Sequence, residues 1–422
     1  MENKKKIAVI GSGISGLSAA YFLKDQHEIT LYEKTGRLGG HSRTITITDQ
    51  NIGKIEVDTG FIVLNDRTYP NLNNLLQNLN IELVKTEMSF AISANGGDLE
   101  WASTSIDSLF AQRKNIFNLP MLRGIFDILK FNKNAIKFVK EYPDLTLGEL
   151  IDKMCLKSWF RDYYMLPMGG AIWSCPYKTM MNFPASTFVS FFDNHGLLSI
   201  NNAPQWYTIK DKSISYVKAL THLIEKEGII LKNSSIDYIN RTEGGVGIKE
   251  SNKEIDNYDE VIFACHPTEI LNILQDATTK EKTILKKFSN QKNTAYTHSD
   301  EQQMPKLKRC WSSWNYIYKK GLEETNVSVT YWMNKLQHID ESYPLFVTLN
   351  PIAPITPDKI HDMYDFYHPI FDQKSIEGQK EIDNIQGTNR IWFTGAYLRY
   401  GFHEDGIWSA LNMLNKMSRN SI

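Results

Sequence analysis

Cysteine is scarce. Four residues in 422, Cys155, Cys175, Cys265 and Cys310, lie far apart and form no C-x-x-C pair. That spacing excludes a disulfide framework and the common zinc patterns, so reduced thiols in a cytoplasmic protein and no metal site are expected. No uncharged apolar run reaches the roughly eighteen residues of a membrane span. Lys4-Lys5-Lys6 is a basic start, but glycines interrupt the apolar run behind it too early for a secretion signal. Net charge is −1, which gives no general reason to expect nucleic acid or an acidic partner. No Ser, His and Asp run suggests acyl-enzyme chemistry. Asn326-Val327-Ser328 fits a glycosylation sequon, which reduced thiols make irrelevant.

Aromatic residues are plentiful, at 12% with nine tryptophans, and suit a large apolar pocket or an ordinary core. The length favours two domains.

The N-terminal stretch carries the strongest pattern. Ile7 to Ile10 reads as a short strand, and Ile14 opens a helix. Between them, Gly11, Gly13 and Gly16 fall in G-x-G-x-x-G spacing. The first glycine permits a tight turn, the second admits a pyrophosphate, and the third lets helix pack on strand. The turn Gly11-Ser12-Gly13-Ile14-Ser15-Gly16 therefore offers free N–H groups to an anion. A second strand, Glu28 to Tyr32, ends at Glu33, an acid able to accept hydrogen bonds from an adenosine ribose. Next comes Lys34-Thr35-Gly36-Arg37-Leu38-Gly39-Gly40-His41, which sets a guanidinium beside a double glycine. Arg37 is placed to pair with the pyrophosphate. An enzyme using only a nicotinamide cofactor has no need of this second glycine loop. Thr44 to Thr48 reads as an edge strand, Asn51-Ile52-Gly53 as a turn, and Ile55 to Val57 as the returning strand. It ends at Asp58-Thr59-Gly60-Phe61, where Gly60 marks a close approach to the main chain.

Together these motifs resemble the amine oxidase and phytoene desaturase superfamily of FAD-dependent oxidoreductases. The resemblance implies FAD, held noncovalently because no cysteine stands beside the closing motif. It implies that the loop from Lys34 to His41 holds the pyrophosphate, with His41 where an arginine is usual. Thr59, Gly60 and Phe61 then border the isoalloxazine. The strand at Ser235-Ile236 supplies backbone contacts to adenine. Gly395 and the helix start Glu404-Asp405-Gly406-Ile407 close the site. Ala396 stands where the superfamily has an acid, and Asp211-Lys212-Ser213 lacks the usual glycines. His403 replaces an aromatic cage residue of the amine oxidases.

The whole chain resembles a narrower group, the bacterial NAD/FAD-binding proteins found beside cyclopropane-fatty-acyl synthases. Asp58-Thr59-Gly60-Phe61-Ile62-Val63, Asn194-His195-Gly196-Leu197-Leu198, Tyr367-His368-Pro369 and Tyr400-Gly401-Phe402-His403-Glu404-Asp405-Gly406 carry this likeness. It implies a lipid or fatty acyl substrate, with desaturation or double-bond isomerisation by hydride abstraction. His403 and His195 are the candidate bases, since histidine titrates near neutral pH. Tyr400, with Tyr397 and Arg399, is a candidate for orienting a carboxylate. The alternatives are an amine or carotenoid-type substrate, or a non-catalytic flavin-binding partner of a lipid methyltransferase.

The expected fold class is α/β: a Rossmann-like FAD-binding domain (1–95, 213–270 and 383–422) with an inserted α+β substrate, or cap, domain (96–212 and 271–382). Apolar Leu72, Leu75, Leu76 and Leu79 predict a helix over 70–79. Residues 144–212 read as further helix. Trp311, Trp314, Tyr316, Tyr318, Tyr331 and Trp332 read as strand residues sharing one aromatic face. Residues 112–140 combine seven basic side chains with many apolar ones. They read either as a cap helix with a solvated lysine face or as a membrane-surface contact, peripheral on the inner face.

Overall fold

In the computed structural model, residues 4–49, 53–173, 177–198, 203–251, 253–319 and 328–419 are described. Asn51, Ile52, Cys175, Asn326 and Val327 lie outside them.

Strand β1 (Lys6–Ile10) sits centrally in a five-stranded parallel sheet. The order is Ile229–Leu231, β2 (Glu28–Tyr32), β1, Glu260–Phe263 and Ile391–Phe393. Ile7 pairs with Ile29 on one side and Glu260 on the other. Both faces are covered, which explains why β1 is apolar throughout rather than alternating. Ile7 and Val9 face helix α1 (Ile14–Leu23), the Lys212–Glu225 helix and the closing helix, His403–Arg419. Ala8 and Ile10 face a core shared with the antiparallel sheet over 236–258 and with Leu285 and Phe288.

Antiparallel β3 (Thr44–Asp49) and β4 (Gly53–Asp58) follow, then helix α2 (Pro70–Asn78), as the leucine spacing predicts. The second large sheet has seven strands, ordered Ile360–Ile370, Ser289–His298, Phe346–Leu349, Ser328–Trp332, Trp314–Tyr318, Phe90–Ala94 and Leu99–Ala102. Beside it lies a helical cap containing the long helix Leu119–Glu141 and the helices Leu147–Lys153 and Ala185–Asn194.

Strand pairing moves the boundaries read from sequence. Phe90–Ala94 pairs into the seven-stranded sheet, so the chain crosses over before residue 95. Trp206–Ile209 is a strand, not helix, and pairs back to Leu64–Asn65 and Leu83–Thr86 before residue 213. Ile284, Leu285 and Phe288 share the core of the five-stranded sheet, so the second crossing comes at Ser289 rather than 271. The aromatic face is also two faces. Tyr331 and Trp332 are consecutive in one strand, and side chains alternate there. Tyr331 meets Trp314, whereas Trp332 meets Trp311, which lies outside any strand. Among the described residues, no helix is long and apolar enough to cross a membrane.

Candidate active site

The site begins where main chain meets main chain. Gly11 has φ +106°, and a β-carbon there would sit 2.8 Å from the Ala264 carbonyl oxygen. One on Gly16 would sit 1.9 Å from the Gly11 oxygen. Gly39 N–H donates to the Ser12 carbonyl at 3.0 Å, locking the second glycine loop to the first. Gly40, at φ +58°, leaves its β-carbon position 2.8 Å from Gly13 Cα. The two loops thus lie back to back. The closing helix joins them, because a β-carbon on Gly406 would meet Ile14 Cγ2 at 2.6 Å. Gly13, unlike these neighbours, faces open space, with nothing within 4 Å of its β-carbon position. It is the N-cap of α1 and brings no side chain to cap it. An uncapped helix start beneath an open cradle fits a pyrophosphate.

Glu33 stands at the tip of β2. One carboxylate oxygen accepts from Ser12 N–H at 3.3 Å and Ser12 Oγ at 2.5 Å; the other accepts from Thr35 N–H and Oγ1, each at 2.9 Å. Ser234 N–H donates to the Glu33 carbonyl at 3.0 Å, which brings the start of the Ile236–Arg241 strand beside it. Leu38 is buried in the core of this layer.

Several side chains named from sequence serve other partners. Lys34 forms an exposed ion pair with Glu269. Arg37 donates to the Ser42 carbonyl (3.2 Å), the Gly40 carbonyl (2.9 Å) and Tyr364 OH (3.2 Å). It clasps the loop to the seven-stranded sheet instead of standing free for a phosphate. Glu404 accepts from Asn71 N–H (3.2 Å), Leu72 N–H (3.0 Å) and Asn71 Nδ2 (2.6 Å), so its carboxylate caps α2. Asp405 accepts from Phe402 N–H at 2.9 Å, which starts the closing helix at His403 rather than Asp405. Burial pushes Asp405 up to about 7. These helix-cap bonds account for both acids without a cofactor contact. Gly395 N–H donates to Ser409 Oγ at 2.9 Å, tying the tail strand to the closing helix.

The opposite wall forms around Gly60, where a β-carbon would lie 2.1 Å from the His41 carbonyl oxygen. Phe61 N–H donates to that oxygen at 2.9 Å, and Thr59 N–H to the Arg43 carbonyl at 2.8 Å. The Phe61 ring stacks on His403, centroids 3.8 Å apart. His403 Nε2 lies 2.8 Å from Ser42 Oγ, which also bonds Tyr216 OH. Burial pushes the His403 imidazole down to about 3. His195 is pushed down to about 4 for the same reason. Neither titrates near neutral pH, which overturns that argument for a base; both rings are neutral.

The three residues proposed for chemistry do not gather as one group. His403 belongs to the glycine layer. His195 stacks on Phe191 at 3.8 Å, with Nδ1 2.9 Å from the Phe191 carbonyl. Tyr400 approaches Phe191 edge-on at 6.1 Å, so both belong to the cap's aromatic cluster.

Sequence reading missed the residues facing His41. The His41 residue is exposed, yet desolvation holds its imidazole down to about 4. Phe366 and His368 stand 5.1 and 5.3 Å from it. Asn350 Nδ2 donates to Asn293 Oδ1 at 2.6 Å, and Asn293 Nδ2 to His368 Nδ1 at 2.8 Å. That chain leaves the His368 proton on Nε2. Arg43 was missed as well; it pairs with Asp362 at 2.7 and 3.0 Å, a second clasp between layers. A signal existed for His368, which stands in the Tyr367-His368-Pro369 stretch. Asp58 is spoken for too, accepting from Ser213, Thr44 and Gln337.

Residues 9–79 match the NAD(P)-binding Rossmann-like domain. The coproporphyrinogen III oxidase of Staphylococcus aureus is 31% identical over 143 residues, covering 30% of this chain and 28% of the relative. The chain thus spans under a third of that relative's length. Solved structures align end to end. A fatty acid isomerase from P. acnes that produces CLA superposes with TM-score 0.71 at 14% identity, covering 99% of both chains. The cyclohexylamine oxidase of Brevibacterium oxydans superposes with TM-score 0.67 at 12% identity, covering 99% and 100%. The chain shares the overall fold of these two proteins. In this fold, both the N-terminal and the C-terminal segments build the glycine layer, and the excursions between them build the cap.

Proposed function

We propose that the chain is an FAD-dependent oxidoreductase acting on unsaturated or modified fatty acyl chains. One observation carries the reading: two glycine loops lie back to back against the closing helix, with Gly13 open above an uncapped helix start. The residues fit FAD. Gly11 to Gly16 and Gly39-Gly40 would hold the pyrophosphate, Glu33 the ribose, and His41, Thr59, Gly60 and Phe61 would border the ring. Bound FAD supplies a hydride acceptor.

The chain's own residues favour an uncharged reacting centre. Glu33, Asp58, Asp362, Glu404 and Asp405 are each engaged by donors of the protein. His41, His368 and His403 are neutral imidazoles. A hydrocarbon needs no countercharge, whereas an ammonium group does. Phe61, Phe366 and Tyr364 exclude water from the wall. His403, bonded through Nε2 to Ser42 Oγ, keeps a neutral ring stacked on Phe61 and adds no charge to the wall. The shared fold of the fatty acid isomerase supports this reading. Isomerisation returns the hydride and needs no electron acceptor; desaturation passes electrons to oxygen or another acceptor.

The test is an anaerobic absorbance spectrum of FAD-loaded protein with unsaturated and cyclopropane phospholipids, followed by mass analysis of the acyl chains. Flavin bleaching or a shifted double bond is expected, with amines inert. Bleaching by amines alone would overturn the acyl reading. A flavin that binds but is never reduced would favour the role beside a lipid methyltransferase.

A further inference from the structure

The long cap helix, Leu119–Glu141, uses one side for the core. Met121, Phe131, Ala135 and Val139 are buried, and Phe131 packs on Phe160 and Phe192. Its outer side is apolar as well. Phe117 is 86% exposed, Ile106 79%, Leu119 75% and Phe126 70%, with Ile116 and Leu129 about half exposed. Solitary exposed apolar residues need no explanation, but six between Ile106 and Leu129 do.

Charge is sorted in the same region. Exposed Lys133, Lys137 and Lys140 run down the helix behind the apolar tip, three or four residues apart, and exposed Arg123 lies between Leu119 and Phe126. Among the described residues they form no salt bridge. The one acid between Gln112 and Lys140, Asp127, is turned inward and accepts from Lys157 N–H at 2.9 Å. Asp107 is occupied by Arg113. The face is therefore a bare apolar tip continued by a cationic stripe that ends at exposed Glu141, on a helix about 34 Å long.

We propose that this face docks on an anionic lipid bilayer. The tip of Ile106, Phe117, Leu119 and Phe126 enters the headgroup region, and the lysines lie along the phosphates. A second copy of this chain is the poorer occupant, because two such faces would oppose like charges. The inference goes beyond the proposed reaction and does not depend on it.

The test is co-sedimentation of the full chain with phosphatidylglycerol–phosphatidylcholine vesicles at low salt. Binding is expected, weakened by high salt and absent with phosphatidylcholine alone. Phe117→Ser with Phe126→Ser should lower partitioning on the order of 100-fold. Lys133→Gln with Lys137→Gln should lower it about 30-fold. Both pairs are exposed, so thermal melting should match the unsubstituted protein. Failure to bind anionic vesicles at low salt overturns the proposal, as does undiminished binding by both variants. Self-association that both variants abolish, without vesicle binding, assigns the face to a second copy instead.

Discussion

In the glycine layer, Gly16, Gly40 and Gly60 meet neighbouring main chain where a β-carbon has no room. In the layer across the site and its cap, rings and amides do the packing: Phe366 and His368 around His41, and Phe188 against Phe192 at 4.3 Å. The first kind of contact excludes every side chain but hydrogen. The second tolerates another ring of similar volume. One region is therefore specified by position and the other by volume, and substitutions should separate them.

The largest expected effect lies in the cap. Phe188→Ala should cost about 3–5 kcal/mol, because the ring is fully buried. Denaturant unfolding should show the loss while the folded protein keeps its FAD spectrum. Loss of FAD at the same denaturant concentration would break the distinction between layers. In the glycine layer, Gly16→Ala should cost about 3 kcal/mol or more, because its methyl group strikes the Gly11 carbonyl. Gly13→Ala, with open space above it, should leave the apoprotein's melting temperature unchanged. It should weaken FAD by about 1.5–3 kcal/mol, through lost hydrogen bonds to the pyrophosphate, measured by flavin fluorescence titration.

Next comes pH. Asp405 is held near 7 in the fold and at about 3.9 when unfolded. Below the lower value both states hold the proton. Between the two, only the unfolded state ionises, so the stability this group contributes falls as pH rises through that window and is gone above about 7. The change should be roughly 2–4 kcal/mol, and Asp405→Asn should flatten the melting temperature between pH 4 and about 7. A fall of equal size in the variant would remove Asp405 as its source. The smallest effect is Lys34→Ala. Its ion pair with Glu269 is exposed and contributes about 0–1 kcal/mol, so FAD affinity should not move.

What the sequence made legible follows the same division. Gly11, Gly16, Gly39 and Gly40 were readable because only glycine satisfies their positions, and Gly13 from its place in the spacing between them. β1, β2 and α2 were readable from apolar spacing. The carboxylates were not. Glu404 and Asp405 follow the last loop in a motif that pointed to the cofactor, yet both cap helices, and capping depends on which N–H groups tertiary packing delivers. His403 and His195 looked alike as titrating groups. Desolvation, which has no sequence signature, makes both neutral. The crossing points near residues 95 and 271 were misplaced because strand pairing, not composition, decides which sheet a segment joins. Asn293 and His368 come from neighbouring antiparallel strands and lie 75 positions apart, beyond any local pattern.

The contact between Gly406 and α1 also sets a timetable. The first turn of the chain is finished by nearly its last helix. At about 5–20 residues per second of synthesis, Gly16 emerges roughly 20–80 s before Gly406. During that interval α1, whose faces are almost all buried in the finished protein, has lost one of its neighbours. A nascent chain stalled before residue 403 should therefore occupy chaperones and hold no flavin, however complete its first hundred residues are.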